Sequence, residues 1–178
     1  MKKEKPRLLI LSDMWGKKRK DWFPSYIAQL EPHFTVDFID CSELAKIDLP
    51  VFEENTLHHE YVRGGIDRAV KALSQETATY DALLAMSIGG VIGWQSLLKG
   101  LDAKRFYAVS ATRLRYETDK PTCPIQLYYG SEDPFIPDSN WYRSLKIEST
   151  VLPLDHEMYY EPELVELVCA QIIDDLKY

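Results

Sequence analysis

The sequence predicts a three-layer α/β/α fold around a six-stranded parallel sheet, and three observations carry that expectation. Short apolar runs recur at residues 7–12, 34–39, 82–86, 105–111, 124–129 and near 150. Segments with the apolar spacing of helices separate most of them, so strands alternate with helices as βαβ units require. The runs at 8–11 and 82–86 are apolar without interruption, the mark of strands covered on both faces. Right-handed crossovers then leave few topologies. The strand order 2-1-3-4-5-6 is expected, with a ligand above the carboxyl ends near the 1/3 switch point.

The elements follow in order. After the first strand comes the loop Asp13-Met14-Trp15-Gly16. Pro24 opens a short helix with Tyr26, Ile27 and Leu30 on one side, closed before Pro32. The run at 34–39 alternates and reads as an edge strand. Residues 41–55, with Pro50 among them, read as a loop. A helix over 56–74 places Leu57, Tyr61, Ile66, Val70 and Leu73 inward. The third strand ends at Ser87 and a helix follows, with Ile88, Val91, Ile92 and Leu98 on one side and Gly100 to stop it. A short helix over 138–145 precedes the sixth strand. The last helix opens at Pro162 and turns Leu164, Val165, Val168, Ile172 and Leu176 inward.

The 178 residues fit one domain, 1–178. A composition with 46% hydrophobic and 28% charged residues is that of a soluble globular protein. The net charge of -7 argues against nucleic acid as a partner, because phosphate binding needs a basic surface. Cys41, Cys123 and Cys169 are scattered and show no metal spacing, which points to a reducing compartment. The apolar run behind the basic start is too short for a signal peptide, and no stretch reaches membrane-span length. A cytoplasmic protein is expected.

The chemistry concentrates at Ala85-Met86-Ser87-Ile88-Gly89, a small-x-Ser-x-Gly pentad at a strand-to-helix turn. A serine in so sharp a turn lifts its hydroxyl clear of the sheet only if the residues two before and two after it are small. An ordinary strand-helix junction with close-packing glycines would look similar, so the pentad needs partners. Gly130-Ser131-Glu132-Asp133-Pro134-Phe135-Ile136-Pro137 puts Asp133 just past the fifth strand, and His156 follows the sixth. The chain order serine, aspartate, histidine differs from the orders found in chymotrypsin and subtilisin.

On these three motifs the chain resembles the α/β-hydrolase superfamily, specifically its compact lidless serine hydrolases, over nearly its whole length. The resemblance implies a minimal α/β-hydrolase fold without the two leading antiparallel strands. Only residues 112–123 separate the fourth and fifth strands, which leaves no room for a cap. It also implies Ser87 as nucleophile, His156 as base and then acid, and Asp133 as the residue that orients the imidazole. Glu132 and Asp155 are the neighbours most easily confused with Asp133.

The oxyanion hole would use the backbone N–H of Ile88 and one from the loop after the first strand. Matching that loop to the superfamily pattern puts Trp15 at the donor position, with Met14 the other candidate. Asp13 is a departure, since its charge would oppose an oxyanion unless it is hydrogen-bonded away. Lys17-Lys18-Arg19-Lys20 at the mouth hints at an anionic substrate. His58-His59 reads as a solvated helix start, and Trp22, Trp94 and Trp141 as core or pocket wall. Trp15, Met86 and Phe135 should make the site shallow. The function implied is cleavage of a small-molecule carboxylic ester or thioester through an acyl-serine, with no cofactor. The alternative is the same fold serving as a catalytically weak binding or regulatory protein.

Overall fold

The structure, a computed structural model, describes residues 4–177. Six parallel strands form the central sheet: β1 (Arg7–Leu11), β2 (Thr35–Ile39), β3 (Ala82–Met86), β4 (Phe106–Val109), β5 (Ile125–Gly130) and β6 (Ser149–Leu152). Their spatial order is β2-β1-β3-β4-β5-β6, as the sequence predicts, and among the described residues no antiparallel strand pairs with them. A two-residue parallel ribbon, Thr79–Tyr80 beside Asp102–Ala103, forms a second ladder just ahead of β3 and β4.

Strand periodicity divides the core in two. Leu9, Leu11, Leu83, Ala85, Phe106, Ala108, Leu127 and Tyr129 face one side. Their sequence neighbours Leu8, Ile10, Ala82, Leu84, Tyr107, Val109 and Tyr128 face the other. The first face is covered by α3 (Glu54–Glu60), α4 (Ile66–Leu73), α5 (Ile88–Leu98) and α6 (Ser139–Leu145). The second is covered by α1 (Phe23–Leu30) and α7 (Pro162–Asp175), which pack against each other. Each fully buried Leu or Ile here contributes about 1.5–3 kcal/mol relative to exposure. The layered sheet is therefore the main source of stability.

Three local expectations are corrected. The loop after β2 begins with a one-turn helix, α2 (Cys41–Leu44), because the Asp40 carboxylate accepts from the Ser42 and Glu43 N–H groups and caps it. The helix expected over 56–74 is interrupted by a π turn at Tyr61–Gly65, where Gly64 takes φ 143°. The inward residues explain this: Tyr61 and Ile66 are five apart, and an α-helix turns the wrong side inward over that step. Leu98 is not on the buried side of α5; it is exposed at the helix end.

No helix among the described residues is long and apolar enough to cross a membrane.

Candidate active site

β3 delivers Ser87 at its carboxyl end, and α5 starts at the next residue. Ser87 has φ 49° and ψ -116°, a conformation that costs a non-glycine residue about 1–3 kcal/mol and persists only where the surroundings impose it. They do. The Ser87 N–H donates to Val109 O (3.0 Å), and Ser87 O accepts from Gly90 N (2.9 Å) and Thr112 N (3.0 Å). The requirement for a small residue two positions later is equally concrete. A Cβ at Gly89 would stand 2.5 Å from Ser12 O, so only glycine lets α5 approach β1 this closely.

The three expected residues come together. Ser87 Oγ lies 3.0 Å from His156 Nε2. His156 Nδ1 lies 2.9 Å from Asp133 Oδ2. Asp133 is fully buried as a side chain, and its Oδ1 accepts from Phe135 N (2.8 Å). The neighbours of Asp133 do other things: Asp155 accepts from Glu157 N and starts the 3-10 turn of His156–Tyr160, and Glu132 is exposed. Gly130 holds the two loops together. A Cβ there would fall 2.1 Å from Leu154 O. Without it, Ser131 and Glu132 donate to Leu152 O (2.7 Å) and Leu154 O (3.1 Å). The aspartate loop is thus tied to the chain leading into His156. Phe135 and Tyr159 pack edge-on to the imidazole, at 5.0 and 6.3 Å.

Asp13 is hydrogen-bonded away, as the chemistry would demand. It is completely buried, and its Oδ1 accepts from the N–H groups of Trp15 and Gly16 (3.1 Å each). The Tyr159 hydroxyl donates to its Oδ2 (3.2 Å). Burial raises the Asp13 carboxyl to about 6, against the lowering effects of Tyr159, Gly16, Trp15 and the charge of Arg19. Burial, together with Asp13, pushes the Tyr159 hydroxyl far up, so it remains a donor.

This bonding bears on the loop after β1. The Trp15 N–H is committed to Asp13, which leaves the Met14 N–H as the one without an acceptor among the described residues. Tyr61 reaches across from the π turn and donates to Met14 O (3.3 Å). The Ile88 N–H, first in α5, has no intrahelical acceptor. Met14 and Ile88 line one cavity of about 450 Å³ with Ser87 and His156.

Several surrounding residues differ from expectation. Trp15 and Phe135 line the cavity, but Met86 lies in the core on the opposite face. Of the basic run, Lys17 pairs with Glu43 (2.9 Å) and Lys18 lies over Phe52. Arg19 alone of the four borders the cavity, stacked over Trp15 and paired with Glu157 (3.2 Å). His58 is exposed but also lines the cavity. Trp94 and Trp141 pack together in the core, and Trp22 in the other one. Arg113 and Arg115, which sequence reasoning missed, line the cavity as well. No group of three or more His, Cys, Asp or Glu that could hold a metal occurs among the described residues.

No protein-family model matches the chain, and no curated protein matches it. Solved structures do. A protein from Xanthomonas campestris described as a hydrolase of the alpha/beta superfamily aligns with TM-score 0.70 at 14% identity, over 97% of this chain and 100% of that one. A dienelactone hydrolase-like promiscuous phosphotriesterase from metagenomic libraries aligns at 0.67 and 13%, over 99% and 88%. Est1E from Butyrivibrio proteoclasticus aligns at 0.59 and 12%, over 97% and 87%. The chain therefore has the α/β-hydrolase fold. Among the described residues no separate lid covers the strand ends.

Proposed function

We propose that this protein is a serine hydrolase that cleaves a carboxylic ester or thioester through an acyl-serine intermediate. The observation that carries the reading is the pair of contacts at 3.0 and 2.9 Å linking Ser87 to His156 and His156 to Asp133, with Ser87 held at positive φ. In this reading Ser87 Oγ attacks the acyl carbon while His156 Nε2 takes its proton. The imidazolium returns that proton to the departing alcohol or thiol. Water, deprotonated by the same nitrogen, then releases the acid from Ser87. Asp133 accepts the Nδ1 proton's hydrogen bond, fixing the tautomer and stabilising the charged ring.

The oxyanion is assigned to the N–H groups of Ile88 and Met14, with Met14 taking the place expected for Trp15. The N-terminal end of α5 adds a favourable dipole at the same point. Support for an ester substrate also comes from the neighbours: Est1E has been solved with ferulic acid, a carboxylic acid, bound.

The test is labelling by a fluorophosphonate and turnover of an activated ester. Wild type should react with the probe at Ser87. Ser87→Ala should lose labelling and reduce kcat by several orders of magnitude, because triad members act as a unit, while keeping its melting temperature. Full activity in Ser87→Ala would falsify the assignment.

A further inference from the structure

The wall of the cavity that follows β4 has a chemistry the triad does not use. The loop leaves the sheet through Ser110 (φ 50°) and Arg113 (φ 67°), two non-glycine residues at positive φ. It is held in that path from several sides. Thr112 N donates to Ser87 O (3.0 Å), and Tyr129 Oη donates to Ala111 O (2.8 Å). Further along, Trp141 Nε1 donates to Glu117 O (2.9 Å) and Trp94 Nε1 to Asp119 O (2.9 Å). A strained loop tied directly to the nucleophile's own carbonyl holds its side chains in fixed register with that residue.

The side chains so placed are Thr112, Arg113 and Arg115, all lining the cavity. The buried Thr112 hydroxyl has no protein partner among the described residues. Both guanidinium groups lie over aromatic rings. Arg113 is 5.0 Å from the Tyr116 ring; Arg115 is 4.6 Å from Tyr116 and 5.5 Å from Phe135, the ring that touches His156. Arg115 also donates to Tyr116 Oη (3.1 Å) and, at 3.5 Å, to Phe135 O. Neither arginine forms an ion pair among the described residues, although the chain carries a net charge of -7. Arginines stacked on rings keep several N–H donors free in a planar fork suited to a carboxylate.

The charge balance narrows the ligand. Arg19 is matched by Glu157 on the same wall. Against Arg113 and Arg115 in this cavity stands the exposed Glu54, with His58, His156, Tyr61, Tyr116 and Tyr159 as further titratable lining groups, and Arg113 also borders a neighbouring cleft that holds Asp67 and Glu117. Of the arginines and carboxylates that line the cavity itself, three against two, one positive charge is left over, which suits a monoanion.

We propose that Arg113 and Arg115 form a subsite for a carboxylate carried by the substrate, so that the protein acts on esters bearing one negative charge. The proposal rests on the serine hydrolase reading above. The carboxylate can sit on the acyl side or on the leaving group, and matched ester pairs separate the two. Mono-4-nitrophenyl succinate is compared with 4-nitrophenyl pentanoate, and 4-acetoxybenzoate with its methyl ester. At low ionic strength the anionic member of at least one pair should have the higher kcat/KM. Arg113→Gln, Arg115→Gln and the double variant should lower that anionic-to-neutral ratio by roughly 10–100-fold in all, the range of a charge-assisted hydrogen bond. Added salt should lower it in wild type.

A ratio near one in both pairs overturns the proposal. So does a preference that survives the double variant, since the charge is then recognised elsewhere. A second readout needs no turnover: NMR titration of Ser87→Ala protein with benzoate and with benzamide. Benzoate should bind more tightly, and the arginine substitutions should remove the difference; equal binding in the parent overturns the subsite. No turnover of any ester, and no fluorophosphonate label, would instead remove the hydrolase reading and leave the titration to decide the subsite.

Discussion

At the scale of single residues, the buried Asp13 makes a prediction whose sign is set by its raised folded value of about 6. Below the unfolded value, near 3.9, the group is protonated in both states and contributes nothing. Between there and pH 6 the unfolded chain releases its proton while the native protein keeps it. Native stability therefore falls as pH rises through that window, by about 3 kcal/mol if nothing else compensates, and stays level above it. Asp13→Asn keeps an acceptor for Trp15 and Gly16 and removes the titration. Denaturant unfolding from pH 4 to 8 should show the variant gaining on wild type up to pH 6 and then running parallel. Curves parallel throughout would contradict the burial argument. Residue-level legibility followed how far each role depends on local sequence. The meeting of Ser87, Asp133 and His156 was readable because each ends or follows a strand at the same edge of the sheet. Between Met14 and Trp15 the sequence left the N–H donor open, because only the hydrogen bonds around Asp13 decide which N–H stays free. Arg113 and Arg115 gave no signal. Their placement depends on positive φ at Ser110 and Arg113 and on tethers from Tyr129, Trp141 and Trp94, none of which has a pattern in the chain.

At the scale of elements, the proposed ester cleavage makes the segment between β4 and β5 the one that should govern acyl-chain preference. It is residues 110–124, it contains one short 3-10 turn at Leu114–Tyr116, and it is pinned down by the tryptophan contacts already described. Nothing there can roof a long alkyl chain. Each methylene fully buried adds about 0.8 kcal/mol, roughly fourfold per carbon, but only while covered surface remains. A neutral ester series from acetate to decanoate, below micelle formation, should peak early and then level or decline. A steady rise through decanoate would require a tunnel that this cavity does not provide. Strands and long helices were legible because burial imposes their periods. The exceptions have identifiable causes: α2 depends on a side-chain cap from Asp40 rather than on an apolar repeat. The π turn was visible in principle as the five-residue step from Tyr61 to Ile66, next to Gly64 and Gly65.

At the scale of the molecule, the strand order was predictable because parallel strands with right-handed crossovers admit few alternatives. The pairing of α1 with α7 on one face has a temporal meaning as well as a spatial one. These helices stand far apart in the order of the elements, so the core face they share stays incomplete until α7 is made. The turn that carries His156 packs on α7. Until α7 exists, Leu8, Ile10 and Leu84 lack part of their cover, and His156 lacks its support. The nascent chain should therefore hold every member of the triad and still be chemically silent. A protein ending at residue 160 should fail to react with fluorophosphonate, and a separate peptide of residues 161–178 should restore the reaction. Reactivity in the shortened chain alone would mean that β3, β5 and β6 set the triad without help from the second face. With α7 required, the making of that helix acts as the switch on the reactivity of Ser87, and a copy that lacks it holds the serine, the aspartate and the histidine without the packed face that steadies them.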